Sequence, residues 1–124
     1  MSGIRGRNTK PELAVRQALF AAGLRYRLHS KLLPGRPDIV LSRSRCAVFV
    51  HGCFWHRHPR CKFAYTPKSN LQFWLDKFAS NVRRDKSVRV QLKKAGWRVL
   101  IVWECEVNDQ SLKKLIRTIK GTAR

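Results

Sequence analysis

The chain has 124 residues, of which 27 are Lys or Arg and only seven are Asp or Glu, so its formal net charge is +20. This length suits a single domain over residues 1–124, and so positive a field favours a polyanion and repels cationic surfaces. Nucleic acid is therefore the leading class of partner, and membrane binding ranks low because no basic helix with a one-sided apolar face stands out.

The amino-terminal half predicts one helix and three strands. Thr9-Lys10-Pro11-Glu12 is a capping box that predicts a helix over residues 10–22, ended by Gly23, with Val15, Leu19 and Ala22 facing inward. Three strands are predicted over residues 25–28, 38–41 and 46–50. The short link between the last two strands predicts that they form a hairpin.

The carboxyl-terminal half predicts two helical regions around one apolar strand. Apolar residues at helical spacing predict one kinked helix or two consecutive helices over residues 70–95, ended by Gly96. A strand over residues 97–103 follows, and then a helix over residues 110–119 with an Asn108-Asp109 cap. The whole order indicates an α/β fold with helices on both sides of a small central sheet.

Neither a signal segment nor a membrane-spanning run is expected from the sequence. Residues 1–8 contain no apolar segment, and no apolar run approaches the length of a span. We therefore expect the protein to remain in the reducing cytoplasm. In that compartment, metal binding or burial explains cysteines better than disulfides do, and the cysteines concerned are Cys46, Cys53, Cys61 and Cys105.

Residues 51–61 concentrate histidine, cysteine and aromatic side chains after a buried strand, a mixture that core packing alone would not select. The spacing Cys53-x4-His58-x2-Cys61 suits a loop that closes around zinc, and Cys105 could supply a fourth ligand. A closed Cys3His site would be structural because no position remains for water. Alternatively, Cys105 simply packs and His51 or His56 replaces His58; Cys46 is expected to pack.

Two acidic residues are candidates for chemistry. Asp38 starts a predicted strand, where it would project from a sheet edge, and one carboxylate with phosphate oxygens and waters can hold Mg²⁺; an Asx-type turn is the alternative. Asp85 falls on the apolar stripe of the long helix and needs a cationic or histidine partner there, unless it forms a surface salt bridge with Arg84 or Lys86. Glu12 is ambiguous because the capping box already explains it.

Histidines and aromatics flank these acids. A neutral His51 or His56 could accept a proton from water near neutral pH, as a general base must. The aromatics that fit least readily into the core are Phe54, Trp55 and Trp74, and such rings can wedge between base steps in a basic groove. The alternative is that they pack over the zinc site.

Several segments together strongly resemble the very short patch repair endonucleases. They are Gly35-Arg36-Pro37-Asp38, the block from Phe49 to His58, Phe73-Trp74, Asn81 to Asp85, and Gly96 to Cys105. The likeness covers roughly residues 4–106, and the HGCFWHxH block is highly specific. The family resembles the restriction endonucleases of the PD-(D/E)XK type, and its members nick double-stranded DNA 5′ to the thymine of a T·G mismatch left by deamination of 5-methylcytosine.

This resemblance implies a role for each candidate residue. Asp38 and the backbone carbonyl of Val50 would bind catalytic Mg²⁺, His56 would be the catalytic histidine, and the supporting groups would be His51, Glu12 and Asp85. Structural Zn²⁺ would be bound by Cys53, His58, Cys61 and Cys105. The residues that intercalate beside the mismatch would be Phe54, Trp55 and Trp74. We also expect a monomer that associates with the nucleoid through DNA binding, with repair proteins as possible partners.

The chain departs from the usual nuclease pattern in two places. Val50 and His51 stand where an E-x-K strand would carry a carboxylate and a lysine, as the variant site of this family predicts. The interval from His58 to Cys61 is one residue longer than in the best-known member, so the zinc loop is expected to bulge.

The competing hypotheses are a noncatalytic zinc-containing nucleic-acid binder and a nuclease of the same fold with another target.

Overall fold

Helix α1 spans Lys10–Ala21 and begins as the capping box predicts. The Thr9 hydroxyl accepts a hydrogen bond from the backbone N–H of Glu12 at 3.3 Å, and Pro11 lies in the first turn, where its missing N–H costs nothing. Gly23 follows the helix in the left-handed region, at φ 86°. The structure, a computed structural model, describes residues 9–121, so residues 1–8 of the opening segment lie outside it.

Four strands form one mixed sheet in the order β1-β2-β3-β4. Strands β2 and β3 pair antiparallel, which confirms the predicted hairpin, and β3 pairs in parallel with β4. The short strand β1 pairs with the outer side of β2, so β2 is an interior strand. Asp38, which precedes β2, therefore lies at the end of the sheet, whereas the sequence predicted a position at the sheet edge. The strands are β1 (Arg27–Leu28), β2 (Ile39–Leu41), β3 (Cys46–His51) and β4 (Arg98–Trp103).

Helices cover both faces of this sheet, as the sequence predicts. On one face Val15 and Leu19 of α1 and Ile119 of α4 (Asp109–Gly121) pack against Ile39 and Val48. On the other face α3 (Leu71–Lys94) packs over a cluster built from Ala47, Phe49 and Leu92. Because side chains alternate along β3, His51 follows Ala47 and Phe49 toward the α3 face.

Helix α3 is one continuous helix, not two. Its inner row passes through Phe78, Asn81, Asp85, Val88 and Leu92, of which Phe78, Asn81 and Leu92 are buried. The apolar spacing of the sequence also predicts Val82 on this row, and that prediction is wrong, because its side chain is 45% exposed. Asn81 takes that position, one residue earlier on the helix.

Two short elements were not predicted, namely α2 (Cys53–His56) and a 3-10 helix over Glu104–Glu106. Arg57 ends α2 in the left-handed region at φ 54°, and the His58 N–H donates to the Cys53 carbonyl at 3.1 Å. This single helical turn brings the histidines and cysteines that follow β3 close together.

Among residues 9–121, no helix is long and apolar enough to cross a membrane.

Candidate active site and metal centre

A groove of about 490 Å³ opens where β3 ends, between α1, α2 and α3. It collects most of the acidic and histidine residues singled out in the sequence: Glu12, Asp38, His51, His56 and Asp85. Trp55 lines the same groove, and so do three arginines, which are Arg36, Arg84 and Arg89. Carboxylates and imidazoles surrounded by guanidinium groups form a surface suited to a phosphodiester.

Asp38 lies just before β2 and is held by the neighbouring strand. Its Oδ2 accepts a hydrogen bond from the backbone N–H of Val50 at 2.7 Å. In an extended strand the N–H and C=O of one residue point to the same side, so the Val50 carbonyl also faces Asp38. Burial raises the pKa of Asp38 from 3.8 to about 6, although the Val50 N–H opposes the shift.

Glu12 lies on the inner side of α1, and its side chain is almost fully buried. One of its oxygens, Oε2, lies 2.5 Å from Arg16, one turn further along the helix. The same oxygen lies 3.0 Å from Nε2 of His29. The carboxylate is therefore bound to an arginine and a histidine, a role that the capping box did not predict.

His51, His56 and Asp85 form a second group on the α3 side of the groove. Nδ1 of His56 lies 2.6 Å from Oδ2 of Asp85, so Asp85 has the histidine partner that its place on the inner row requires. It does not form the alternative surface pair with Arg84 or Lys86, since that carboxylate faces His56. The imidazoles of His51 and His56 stack in parallel with their centroids 3.8 Å apart.

The chemical state of His51 follows from this packing. Burial, together with the adjacent His56 and Arg89, lowers its pKa to about 4 although Asp85 opposes the shift, so the ring is neutral at neutral pH. Its buried Nδ1 has no hydrogen-bond partner within residues 9–121. Buried polar atoms are normally satisfied, so this nitrogen is an exception.

The predicted zinc ligands converge at the carboxyl ends of β3 and β4. Nδ1 of His58 lies 3.6 Å from the Cys53 sulfur and 3.3 Å from the Cys105 sulfur, and the Cys61 and Cys105 sulfurs are 3.8 Å apart. Two sulfurs each about 2.3 Å from a tetrahedral zinc lie roughly 3.8 Å apart. The four side chains therefore fit the donor set and size of a zinc site.

The surroundings of this cluster also suit a dication. Desolvation and the nearby Cys53 and Cys61 thiols raise the pKa of Cys105 to about 12, because thiolates held this close repel one another. A bound cation would remove that repulsion. Cys46 stays apart, fully buried in the core with its thiol directed at the Ser44 carbonyl, as expected of a packing residue.

The candidate wedge aromatics belong to a larger cluster beside the groove. Phe54 lies at its centre and contacts four rings, with centroid distances of 5.1 to 5.4 Å, which are those of Trp55, Tyr65, Trp74 and Phe78. Trp55 is 46% exposed and Trp74 is half-buried. Trp55 therefore has both an inner ring contact and an open surface.

Two residues near Asp38 and Glu12 were missed at the sequence level, His29 and Arg16. The backbone N–H of His29 donates to the Asp38 carbonyl at 3.0 Å, which extends the β1-β2 pairing by one residue. Pairing the predicted strands 25–28 and 38–41 in that register would have placed His29 opposite Asp38. Arg16 had a signal too, because it lies four residues after Glu12 on a helix.

Comparison with known proteins identifies the family. Residues 1–62 match the family model described as DNA mismatch endonuclease Vsr. The chain is 45% identical to the DNA mismatch endonuclease Vsr of Escherichia coli over 89% of this chain and 70% of that protein. It is 45% identical to the type II nicking enzyme V.NmeAIP of Neisseria meningitidis, over 97% of this chain and 89% of that one.

The fold has a counterpart among solved structures. The catalytic domain of the homing endonuclease I-Bth0305I superposes with a TM-score of 0.65 at 24% identity, covering 94% of this chain and 98% of that one. This similarity supports the nuclease fold of the α/β sheet and its helices. The chain thus belongs to the Vsr family of DNA mismatch endonucleases and is a DNA endonuclease.

Proposed function

We propose that the protein nicks one strand of double-stranded DNA 5′ to the thymine of a T·G mismatch, in a reaction that depends on Mg²⁺. The observation that carries this proposal is the convergence of Asp38, the Val50 backbone and the His56–Asp85 pair on one groove. Family membership supports the mismatch as the target. A noncatalytic nucleic-acid binder would have no use for this arrangement.

Asp38 and the Val50 carbonyl are the proposed Mg²⁺ ligands. A hard cation prefers oxygen donors and keeps several waters, and one carboxylate, one carbonyl and phosphate oxygens meet that need. The pKa of about 6 lets Asp38 be ionised at neutral pH. Mg²⁺ held there would stabilise negative charge on the scissile phosphate and acidify a water.

The histidines supply the proton transfer in this proposal. Asp85 accepts from Nδ1–H of His56, so Nε2 of that ring is left as the nitrogen that accepts a proton from the attacking water. The neutral, stacked His51 holds the His56 ring in position without adding a second charge. Glu12 supports Asp38 from the α1 side of the groove.

Zn²⁺ is the proposed occupant of the group formed by Cys53, His58, Cys61 and Cys105, in a structural role. With all four positions taken by protein, no place remains for a reacting water. The site would join α2 to the end of β4, and thereby hold His51 at the end of β3 and His56 on α2. We further propose a monomeric enzyme of the PD-(D/E)XK type that acts on nucleoid DNA in the cytoplasm.

Mismatch selection is proposed to come from the aromatic cluster. Phe54, Trp55 and Trp74 would enter the helix beside the T·G pair, where unstacking costs least because pairing is already poor. The arginines around the groove would bind phosphates without regard to sequence.

Replacing Asp38 by Asn tests the metal assignment. Asp38→Asn keeps the size of the side chain and removes the charge, so Mg²⁺-dependent nicking of a T·G duplex should fall below detection while duplex binding stays within about twofold. The matched control is Asp76→Asn, because Asp76 is an exposed carboxylate that contacts Gln72. Wild-type nicking by Asp38→Asn would contradict the assignment.

A further inference from the structure

His29 is one of the chain's four histidines, and it lies in none of the motifs that carry the family likeness. It directly follows β1, where its N–H extends the pairing with β2 by bonding to the carbonyl of Asp38 at 3.0 Å. The backbone there is left-handed, with φ 47°, a conformation that is costly for a residue with a side chain. Such strain persists only where the surroundings hold the residue in place.

The imidazole of His29 lies between the two carboxylates at this end of the groove. Nε2 is 3.0 Å from Oε2 of Glu12, and Nδ1 is 4.0 Å from Oδ1 of Asp38. A carboxylate only accepts hydrogen bonds and a guanidinium only donates them, so Nε2 donates to Glu12 in the tautomer that carries its proton and accepts from Arg16 in the other. The guanidinium of Arg16 is 3.3 Å from the same Nε2 and also binds Glu12, which confines the imidazole from the α1 side.

We propose that His29 is a positioning residue of the nicking reaction, which fixes the Glu12 carboxylate through Nε2 and sets its placement relative to Asp38. The inference rests on the proposed role of Asp38 as a metal ligand. Hydrogen-bond partners of this kind orient the groups around a cation, and their loss costs 10- to 100-fold in metal affinity or activity. His29 thereby lies between Glu12 on α1 and Asp38 at the start of β2.

The test compares three substitutions at this position. His29→Ala removes both ring nitrogens. His29→Gln can place an amide N–H near the position of Nε2 and so keep the bond to Glu12, whereas His29→Asn is too short to reach Glu12 but tolerates the left-handed backbone. The matched control is Ser30→Ala, which removes the hydroxyl that accepts from the Leu32 N–H at 3.2 Å in the same turn.

Four quantities are measured for each variant: the affinity for Mn²⁺ without DNA, by electron paramagnetic resonance; the single-turnover nicking rate with Mg²⁺; duplex affinity in chelator; and the melting temperature. His29→Ala should bind Mn²⁺ about 10- to 100-fold more weakly and nick more slowly by a similar factor. Duplex affinity and melting temperature should stay near wild type. His29→Gln should recover most of the loss. His29→Asn should resemble His29→Ala, and Ser30→Ala should resemble wild type.

Two results would overturn the inference. Wild-type Mn²⁺ affinity in His29→Ala would show that the imidazole does not position the carboxylates. Equal losses in His29→Ala and His29→Gln, with a lower melting temperature in both, would show that the residue only maintains the fold. Asp38→Asn separates this inference from its premise: Mn²⁺ binding that survives that change would show that the proposed metal site itself is wrong.

Discussion

Asp38 is a largely buried carboxylate, and burial disfavours its ionised form. Its side chain is 17% exposed and burial raises its pKa to about 6, although the Val50 backbone N–H and the charge of Arg16 oppose the shift. A bound cation would relieve this cost, since it favours the ionised form. The residue is therefore suited to metal binding at the expense of stability in metal-free protein.

This cost predicts an unusual dependence of stability on pH. A carboxyl group whose pKa is raised on folding, here from 3.8 to about 6, contributes stability below that range and loses it as pH rises through about 6. In chelator at pH 7.5, Asp38→Asn should therefore increase the free energy of unfolding by about 1 to 3 kcal/mol, and the gain should vanish near pH 4. Urea unfolding at both pH values measures it, with Asp76→Asn as control. Equal stabilities at pH 7.5 would refute the strained carboxylate.

Substitutions at Trp55 and Trp74 are predicted to weaken the recognition of the mismatch. Truncating either to Ala should reduce the preference for T·G over matched duplex by about 1 to 3 kcal/mol, which is typical of one stacking contact. Nonspecific affinity, which depends on Lys and Arg, should change much less. Binding and nicking on duplexes that differ only at the mismatch measure the effect.

Phe20→Ala is the matched control for these truncations, because Phe20 is an exposed aromatic on α1, in contact with Arg25 and outside the cluster. It should leave discrimination unchanged. If both tryptophan truncations lower the melting temperature while the protein that remains folded still discriminates like wild type, the aromatics are core residues around the metal centre and do not act as wedges.

Sequence patterns predicted which side chains come together at the site. They predicted less well which neighbouring residues hold those side chains in position. Asp85 was recognised because a carboxylate on an apolar stripe needs a partner, and the partner proved to be His56. His29 and Arg16 were missed because their importance depends on strand register and on the packing of α1 against the sheet. The signals for them were the strand pairing for His29 and the four-residue spacing from Glu12 for Arg16, and neither shows in the apolar pattern.

Strands and long helices were predictable because each buries a regular apolar face. The hairpin and the Asn108 cap, whose side chain accepts from the Ser111 N–H at 2.9 Å, follow local rules. Helix α2 was not predictable, since its four residues are too few for a period. Its position comes from contacts with distant elements, among them the bond from the Cys53 N–H to Glu104 at 2.9 Å.

Zinc should hold α2 in place. Protein purified without chelator should contain one equivalent of zinc, and its removal should loosen the region around the aromatic cluster, because closing the site is coupled to local folding. Elemental analysis gives the metal content, and tryptophan fluorescence follows the cluster during chelation. Cys53→Ala should lose the metal, whereas Cys46→Ala, a change in a packing cysteine, should keep it. Protein without zinc would contradict the proposed site.

The charge of the whole molecule brings it to DNA without choosing a site. With a net charge of +20, binding to any duplex should weaken steeply as salt rises. The proposed mismatch selectivity would therefore come from the groove and the aromatic cluster, which lie at one end of the sheet. The composition was enough to predict a nucleic-acid partner, whereas the groove could be recognised only once the fold was known.

The most direct measurement is single-turnover nicking with Mg²⁺ of two duplexes that are identical except for one T·G or T·A pair, each strand labelled separately. We expect a single nick 5′ to the mismatched thymine, no cut in the other strand, and no comparable product from the matched duplex. Equal nicking of both duplexes, or none in either with Mg²⁺ present, would contradict the proposed function.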